Sequence, residues 1–352
     1  MKRFIKRNWK LLLNIFTFGL LVVAIYLLRD DISQAFRDLG RVNAIALLLI
    51  IPFQIENYAA TAHLYQGFFK ILGVEQPFKR MYKISLEVNF VNHVLPSGGV
   101  SGFSYFAARL KPHGVSTAQS TLTQTMKFML TFVSYLILLF AGLFMLALGG
   151  SASNMTILLT CSMAFLTVFG MAISIYVASN EHRIHTFSQS LTKVINRAIQ
   201  VVRTKHPETI SLKRVEKVFK EMHQYYLILK EKFPELRSPF LYSLLATISE
   251  LATIYAVYIA YGQFVNPGAI IIAYALANVA GLISVLPGGI GVYETLMSIV
   301  LVSAGVPAGL AISATVMYRV LTLIPQITIG YYFYHQAPQE FDNLPRRKAK
   351  HV

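Results

Sequence analysis

The sequence has very little cysteine and unusually little charge. It contains one cysteine, Cys161, in 352 residues. A single cysteine excludes an internal disulfide framework and offers no cysteine cluster for a metal ion. Charged residues make up 14% of the chain, whereas soluble domains carry about 25%. This composition argues against a soluble globular fold.

Long stretches of the chain are nearly free of charge. Between residues 112 and 180, and again between residues 238 and 339, the only Asp, Glu, Lys or Arg residues are Lys127, Glu250, Glu294 and Arg319. Hydrophobic residues make up 55% of the chain, and the mean hydropathy is +0.53. Such stretches are typical of segments inside a lipid bilayer. The composition therefore predicts an integral membrane protein.

Most of the positive charge lies in three parts of the chain. The net charge of +16 arises mainly from basic clusters at residues 2–10, 181–237 and 346–350. Basic residues beside apolar spans mark the cytoplasmic side and attract the anionic headgroups of the inner leaflet. The distribution therefore predicts membrane lipids as partners and no nucleic-acid binding.

Six segments are long and apolar enough to cross a bilayer as helices, which takes about 20 residues each. They cover residues 11–28, 43–65, 117–148, 155–179, 238–262 and 308–334. The first run is longer than the core of a signal peptide and no small-residue cleavage site follows it, so we expect it to be a retained membrane helix. The predicted fold class is an all-α integral membrane protein, a polytopic helical bundle.

A short motif occurs twice, 191 residues apart. Val94-Leu95-Pro96-Ser97-Gly98-Gly99 corresponds to Val285-Leu286-Pro287-Gly288-Gly289, and Gly114-Val115 corresponds to Gly305-Val306. A Pro-Gly-Gly break leaves backbone groups that lipid cannot satisfy, so protein or water must cover it. Breaks at matching positions in two halves point to a transporter binding site. The predicted tip residues, where glycine permits a positive φ, are Pro96, Gly98, Gly99, Pro287, Gly288, Gly289 and Gly291.

Pairs of short apolar segments surround the two breaks, at about 82–110 and 269–304. Neither arm crosses a bilayer comfortably, so we predict two re-entrant helical hairpins; ordinary spans with a coincidental motif are the alternative. The basic residues place both termini in the cytoplasm and the hairpins on opposite faces, which makes the repeats inverted. The expected location is the cytoplasmic (inner) membrane of a prokaryote.

The predicted organisation has four parts. A first membrane half covers residues 1–180, and a second covers residues 238–335. A cytoplasmic amphipathic connector at 181–237 joins them, because its apolar residues follow a helical period with basic residues between. A basic cytoplasmic tail occupies residues 336–352.

Five charged residues lie within predicted spans or just after the second break: Lys127, Arg319, Glu294, Glu250 and Glu56. An ionised side chain in the bilayer is costly and usually faces a cavity or an opposite charge. Two cations beside a shared cavity would suit a phosphate, and the carboxylates an amine, a sugar or a coupling proton. The structural alternative is that Glu294 pairs with Arg319, and that Glu250 or Glu56 pairs with Lys127.

A polar face leads into the first motif, and Asn278 takes the place of Glu87 in the second half. We expect these residues to line an aqueous vestibule, and His93 by itself fits a hydrogen-bonded structural residue better than a proton carrier. The residues concerned are Glu87, Asn89, Asn92, His93, Asn278 and, after the first hairpin, Arg109.

Enzyme signatures are missing from the sequence. It has no Walker-type Gly-Lys-Ser/Thr loop, no His-Glu-x-x-His and no nucleophile elbow. We therefore expect no catalytic site, no metal ion and no cofactor.

The second motif and the residues after it carry a family resemblance. Leu286-Pro287-Gly288-Gly289-Ile290-Gly291-Val292-Tyr293-Glu294, followed by Gly305-Val306-Pro307 and Tyr318-Arg319, resembles the lysylphosphatidylglycerol synthase transmembrane-region family. Leu95-Pro96-Ser97-Gly98-Gly99 with Arg109 fits the same pattern. The resemblance implies movement of aminoacylated phospholipid across the bilayer. It does not imply lysyl transfer, since the soluble aminoacyl-transferase domain of full-length members is not in this sequence.

These observations lead to a flippase or transporter that moves a phospholipid or lipid-linked headgroup between leaflets without ATP hydrolysis. Two alternatives remain open. One is an intramembrane enzyme of lipid or glycolipid synthesis, and the other is a non-transporting accessory subunit that partners such an enzyme.

Overall fold

The computed structural model describes residues 42–95, 100–150, 152–180, 212–283 and 287–342, with isolated positions at 26–40 and 182–190. No strand occurs among these residues. The helices are α1 (Ala44–Leu47), α2 (Ile50–Ile71), α3 (Phe78–Val94), α4 (Val100–Leu110), α5 (Thr117–Leu148), α6 (Asn154–Ala178), α7 (Leu212–Glu231), α8 (Arg237–Ala260), α9 (Pro267–Ile283), α10 (Val292–Ser303) and α11 (Ala308–Asp342). Short 3₁₀ turns occupy Lys111–His113, Phe233–Leu236 and Pro287–Gly289.

Five stretches of the described chain are long and apolar enough to span a membrane. They are Ala44–Ile71, Thr117–Leu148, Asn154–Val177, Phe233–Ala260 and Ala308–Ala337. The prediction of an all-α polytopic membrane protein is thereby confirmed, and each of the five lies at a predicted span. Apart from Tyr26, the predicted span 11–28 lies outside the described residues, as do residues 191–211 of the connector and the tail beyond residue 342.

Local sequence explains where α5, a helix of 32 residues, begins and ends. Ser116 is the N-cap of α5, and its hydroxyl accepts a hydrogen bond from the backbone N–H of Gln119. The Gln119 side chain accepts in return from the Ser116 backbone N–H, which completes a capping box. The helix ends at Gly149, and Gly150 follows with φ 66°. These signals hold α5 to the bounds that its apolar run predicts.

Four helices are too short to cross a bilayer by themselves. α3 and α4 contain 17 and 11 residues, and α9 and α10 contain 17 and 12. At 1.5 Å per residue such helices are about 16–26 Å long, compared with a hydrocarbon core of about 30 Å. Their lengths fit the predicted hairpins. That both arms of each pair enter and leave the membrane on the same side remains a prediction.

The short helices pack across the two halves of the chain. α3 contacts α4 but also packs on α11, and α9 contacts α10 but also packs on α5. The long helices α2 and α8, one from each half, pack against each other. These contacts are unchanged when the two halves are exchanged, as the predicted repeat requires. The inverted repeat itself remains a prediction.

Glycines allow the two cross-half contacts to be close. A Cβ on Gly268 of α9 would lie 2.2 Å from the backbone oxygen of Gly142 in α5. A Cβ on Gly330 of α11 would lie 2.5 Å from Cβ of Phe90 in α3. Small residues permit this approach between membrane helices, where packing rather than the hydrophobic effect drives association. One short helix of each pair is thereby held against a long helix of the opposite half.

Two further helices lie at the side of this arrangement. α6 contacts α5, α9 and α10, and several of its large apolar side chains, including Phe165 and Phe169, are exposed as expected of a lipid-facing helix. α7, in the predicted connector, packs against α5 and buries Leu229 in the apolar cluster of the first half. Part of the connector is therefore attached to the helical bundle.

Candidate functional site

A polar cavity of about 300 Å³ lies between the two halves. Its walls come from α2, α3, α5, α8, α9 and α11, together with the Pro287–Gly289 turn and the start of α10. Among the residues that the sequence predicted for the site or its vestibule, the cavity is lined by Asn89, Asn92, His93, Lys127, Glu250, Asn278, Gly288, Gly289 and Arg319. Asn278 donates a hydrogen bond of 2.9 Å to the backbone oxygen of Tyr274 in its own helix.

The second Pro-Gly-Gly break forms part of the cavity wall. Gly288, Gly289 and Gly291 have φ of 59°, 67° and 83°, a region that side chains other than glycine rarely adopt. A Cβ on Gly288 would lie 3.1 Å from Cδ2 of His93, and one on Gly289 would lie 2.9 Å from Cα of Gly281. The break therefore contacts the end of α3, which leads to the first break.

The tip residues of the first break, Pro96, Gly98 and Gly99, lie outside the described residues. The end of α3 that leads to them is described. His93 Nδ1 is 2.8 Å from the backbone oxygen of Asn89, and Asn89 donates a short hydrogen bond to the hydroxyl of Tyr58 in α2. His93 thus has the local hydrogen bond that a structural histidine needs, and it also lines the cavity.

Arg319 holds the second break in place. Its Nε donates to Oε1 of Glu294 at 2.6 Å, and its Nη2 donates to the backbone oxygen of Gly288 at 2.8 Å. The guanidinium also lies 4.4 Å from the centroid of the Tyr293 ring. The other oxygen of Glu294 accepts from the backbone N–H of Gly291 at 2.6 Å. The predicted ion pair is present, and one of its members faces the cavity.

In the first half, an aromatic contact replaces this ion pair. At the offset of 191 residues, Glu294 corresponds to Phe103 and Arg319 to Phe128. The rings of Phe103 and Phe128 are stacked, with centroids 5.6 Å apart and planes at 9°. The short helix α4 therefore contacts α5 through stacked rings and not through an ion pair. The positive charge that corresponds to Arg319 is carried by the residue next to Phe128, Lys127.

Lys127 contributes an ammonium group to the cavity wall. Within the part of the chain that the structure describes, its Nζ has no ion pair and no hydrogen bond. The nitrogen lies 5.2 Å from the centroid of the Phe128 ring. A pair between Lys127 and either Glu250 or Glu56, the structural alternative, is not among the ion pairs of these residues. An ammonium in this setting is suited to an anion that enters the cavity.

Glu250 is the carboxylate of the cavity, and it is 7% exposed. Its Oε1 accepts a 2.5 Å hydrogen bond from the hydroxyl of Tyr318, and its Oε2 accepts a 3.0 Å bond from Nε2 of Gln54. The Gln54 side chain also accepts from Nε2 of Gln326 at 3.2 Å. The carboxylate thereby connects α8 with α2 and α11.

Glu56 does not join this group. It is exposed on α2, whereas Gln54, two residues earlier, faces Glu250. Two residues correspond to about 200° of rotation around a helix, so the two side chains lie on nearly opposite faces. Its charge inside an apolar span predicted that Glu56 faces the cavity or an opposite charge, but the rotation of α2 places it outside the cavity.

Glu87 and Arg109 also lie away from the cavity. They form an ion pair between the two arms of the first hairpin, with Nε to Oε2 at 2.8 Å and side chains 2% and 1% exposed. The hydroxyl of Tyr105 donates to the same carboxylate oxygen at 2.8 Å. The face of α3 that lines the cavity carries Ser85 and Asn89, and Glu87 projects from the opposite face. The pair therefore joins α3 to α4.

Gln54 and Tyr318 both bond Glu250, and the sequence predicted this role for neither of them. Tyr318 was noted only as part of the family motif, and Gln54 was not singled out, because amides occur in many membrane helices and carry no special signal. An amide inside an apolar run would have been a useful signal if the face of the helix that contacts the other half were known. The sequence does not show which faces of two distant helices meet.

The fold and the site define a class: a polytopic, all-helical membrane protein with a polar cavity between two similar halves. The sequence profile described as "Lysylphosphatidylglycerol synthase TM region" matches residues 15–330. The chain therefore belongs to this family.

Curated relatives give the same class. The chain is 21% identical over 329 residues to a UPF0104 membrane protein of Pyrococcus horikoshii, covering 89% of this chain and 93% of that protein. It is 22% identical over 334 residues to one of Methanocaldococcus jannaschii, covering 94% and 95%. A third, from Methanothermobacter thermautotrophicus, is 34% identical over 101 residues, which spans 29% of this chain and 30% of that relative. All three names describe membrane proteins.

Proposed function

We propose that the protein is a lipid flippase, which moves a phospholipid or lipid-linked headgroup between leaflets without ATP hydrolysis. The observation that carries this proposal is the ammonium of Lys127, which lines a polar cavity between the two halves and has no ion-pair partner among the described residues. A phosphate is the anionic group that every phospholipid brings. Arg319, in the same wall, supplies a second positive charge near the break.

The size of the cavity fits a headgroup rather than a whole lipid. Its volume of about 300 Å³ lies at the lower end of the range for ligand pockets, about 300–1,000 Å³. Acyl chains lose nothing by staying in the hydrocarbon, whereas a charged headgroup needs a polar path. In the proposed mechanism the headgroup passes through the cavity while the tails remain in the bilayer.

The packing of the hairpins supports alternating access. Each hairpin rests on a long helix of the opposite half, and the second break reaches the end of α3 at the cavity. With the repeats inverted, as the basic residues predict, one hairpin faces each leaflet. Movement of one half against the other would then open the cavity first to one side and then to the other. The proposal places the protein in the cytoplasmic membrane with both termini inside.

The test is lipid movement in vesicles that contain the purified protein. Phosphatidylglycerol with a fluorophore on an acyl chain leaves the headgroup unmodified, and a membrane-impermeant reductant reports the fraction in the outer leaflet over time. Lys127→Gln should slow the movement about tenfold or more, the effect of losing one charge-assisted hydrogen bond. Lys127→Arg should retain a large part of the rate.

The matched control is Lys217→Gln, which removes a lysine that is 78% exposed on α7. It should leave the rate unchanged. Wild-type movement no faster than in protein-free vesicles would contradict the flippase proposal. An unchanged rate in Lys127→Gln would show that Lys127 is not the anion contact.

A further inference from the structure

The carboxylate of Glu250 is held in the cavity by uncharged groups only. Its two oxygens accept from the Tyr318 hydroxyl and from the Gln54 amide. No lysine, arginine or histidine nitrogen lies within 4.0 Å of it among the described residues. A carboxylate buried inside a membrane protein with no cation beside it is neutralised most simply by a proton.

Lys127 in α5 and His93 in α3 line the same cavity as Glu250, but neither forms an ion pair with it. Further titratable or charged groups interact electrostatically with the Glu250 carboxylate. They are Tyr58 in α2, Tyr135 in α5, Tyr274 in α9, Tyr293 in α10, and Tyr318 and Arg319 in α11. The tyrosines are neutral at ordinary pH. Arg319 is already bonded to Glu294 and to the backbone of Gly288. Glu250 is therefore the cavity carboxylate whose charge is not balanced by a bonded cation.

We propose that Glu250 is a proton-binding site that couples lipid movement to a proton gradient. This inference rests on the proposed flippase function and names its coupling ion. A proton from water in the cavity binds one carboxylate oxygen and forms an O–H bond. The same proton is released to water when the cavity faces the opposite side, which regenerates the carboxylate.

The bonding around Glu250 favours a proton over a metal cation such as Na⁺. A cation site needs oxygen atoms that point their lone pairs inward. Both neighbours of Glu250 point hydrogen atoms at it instead, an O–H from Tyr318 and an N–H from Gln54. A bound cation would have to displace these donors, whereas a proton replaces one hydrogen bond by another.

The same bonds connect the proton to the moving parts. Glu250 in α8 bonds Gln54 in α2, and Gln54 bonds Gln326 in α11. Tyr318, the other donor, precedes Arg319, which holds the second break. Adding a proton turns the carboxylate from an acceptor only into a donor as well. The contacts that join the two halves are therefore different in the charged and the neutral states.

The experiment compares lipid movement with and without a pH gradient in vesicles that contain the full chain. Potassium and valinomycin keep the membrane potential at zero, and the probe is phosphatidylglycerol labelled on an acyl chain. With one proton for each lipid, a gradient of one pH unit supports roughly a tenfold change in the ratio between leaflets. Glu250→Gln should lose the response to the gradient, and a response equal to that of the wild type would overturn the proton site.

The controls separate the two proposals. Glu221→Gln, on the surface of α7, removes a carboxylate that is 36% exposed and should keep the full response. Lipid exchange by the wild type that ignores the pH gradient, or follows a Na⁺ gradient instead, overturns the proton site and leaves the flippase function standing. No lipid exchange by a monodisperse wild type contradicts the flippase function, and the coupling with it.

A second variant covers the case in which Glu250→Gln fails to fold. Tyr318→Phe removes one hydrogen-bond donor to the charged carboxylate and leaves the carboxylate in place. Because that bond favours the charged form, its loss should move the pH midpoint of lipid movement upward. A midpoint identical to that of the wild type would overturn the assignment of Glu250.

Discussion

Arg319 of α11 donates a 2.6 Å hydrogen bond to Glu294 of α10. The same guanidinium donates to the backbone oxygen of Gly288 in the Pro-Gly-Gly break. The arginine thus has two neighbours of different kinds. The charge of Glu294 is on a side chain and can be moved by mutation. The oxygen of Gly288 belongs to the backbone and remains whatever residue stands there. The two roles of Arg319 can therefore be tested separately.

We expect the exchange of the two residues to restore folding but not lipid movement. Glu294→Gln or Arg319→Met alone leaves one charge without its partner, at a cost of about 3–5 kcal/mol. Glu294→Arg with Arg319→Glu restores opposite charges, so thermal unfolding in detergent should recover a large part of the loss. The cation is then displaced from Gly288 and from the cavity wall, and the rate of lipid movement should stay low. Full recovery of the rate would show that the ion pair is the whole role of Arg319.

The buried pair of the first hairpin should behave differently. Glu87 and Arg109 are nearly unexposed and lie outside the cavity wall, so their role is to hold α3 and α4 together. Arg109→Met alone should destabilise the protein by about 3–5 kcal/mol. Glu87→Gln together with Arg109→Met should recover most of that stability, because no charge is then left unpaired. Unfolding temperature measures the stability, and lipid movement in the double variant should be close to that of the wild type.

The sequence predicts the five described spans because each is a long apolar run with few charges. It also finds three of the cavity residues, Lys127, Glu250 and Arg319, because a charge inside such a run is rare and must face something polar. The break at Gly288 was recognised because the motif occurs twice, and such a backbone feature cannot be seen in the amino-acid composition. The spans and the isolated charges are local signals, and the repeat is a comparison along the chain; none of them requires knowledge of how the helices pack.

What the sequence does not supply is the rotation of one helix against another. Glu56 and Glu87 are charged residues in apolar surroundings, like Glu250, yet one faces outward and the other faces the second arm of its own hairpin. Gln54 reaches Glu250 because α2 packs on α8 with that face inward. Such contacts depend on tertiary packing, which the repeat offset of 191 residues does not encode.

A change at Gly289 tests whether the break needs its shape. A Cβ there would lie 2.9 Å from the backbone of Gly281, and φ is 67°. Gly289→Val should therefore abolish lipid movement while the protein still inserts into the membrane. Gly305→Ala is the matched control, since φ is 89° and no atom lies within 4 Å of the added Cβ. It carries backbone strain without a clash, so it should lower stability by about 1 kcal/mol and leave the rate close to that of the wild type.

The last prediction concerns the topology, on which the inverted arrangement depends. The loop after α5 and the loop before α9 lie together, since Nδ2 of Asn266 donates to the backbone oxygen of Met145 at 3.0 Å. The basic residues predict that this side lies outside the cell. After Cys161→Ser, which removes the native thiol, single cysteines at the exposed positions Asn154 and Gln263 should react with a membrane-impermeant maleimide added to intact cells. Cysteines at the exposed positions Glu75 and Glu235 should react only after the membrane is opened. Reaction of Glu235→Cys from outside would place α8 in the reverse direction, and the two hairpins would no longer open to opposite faces.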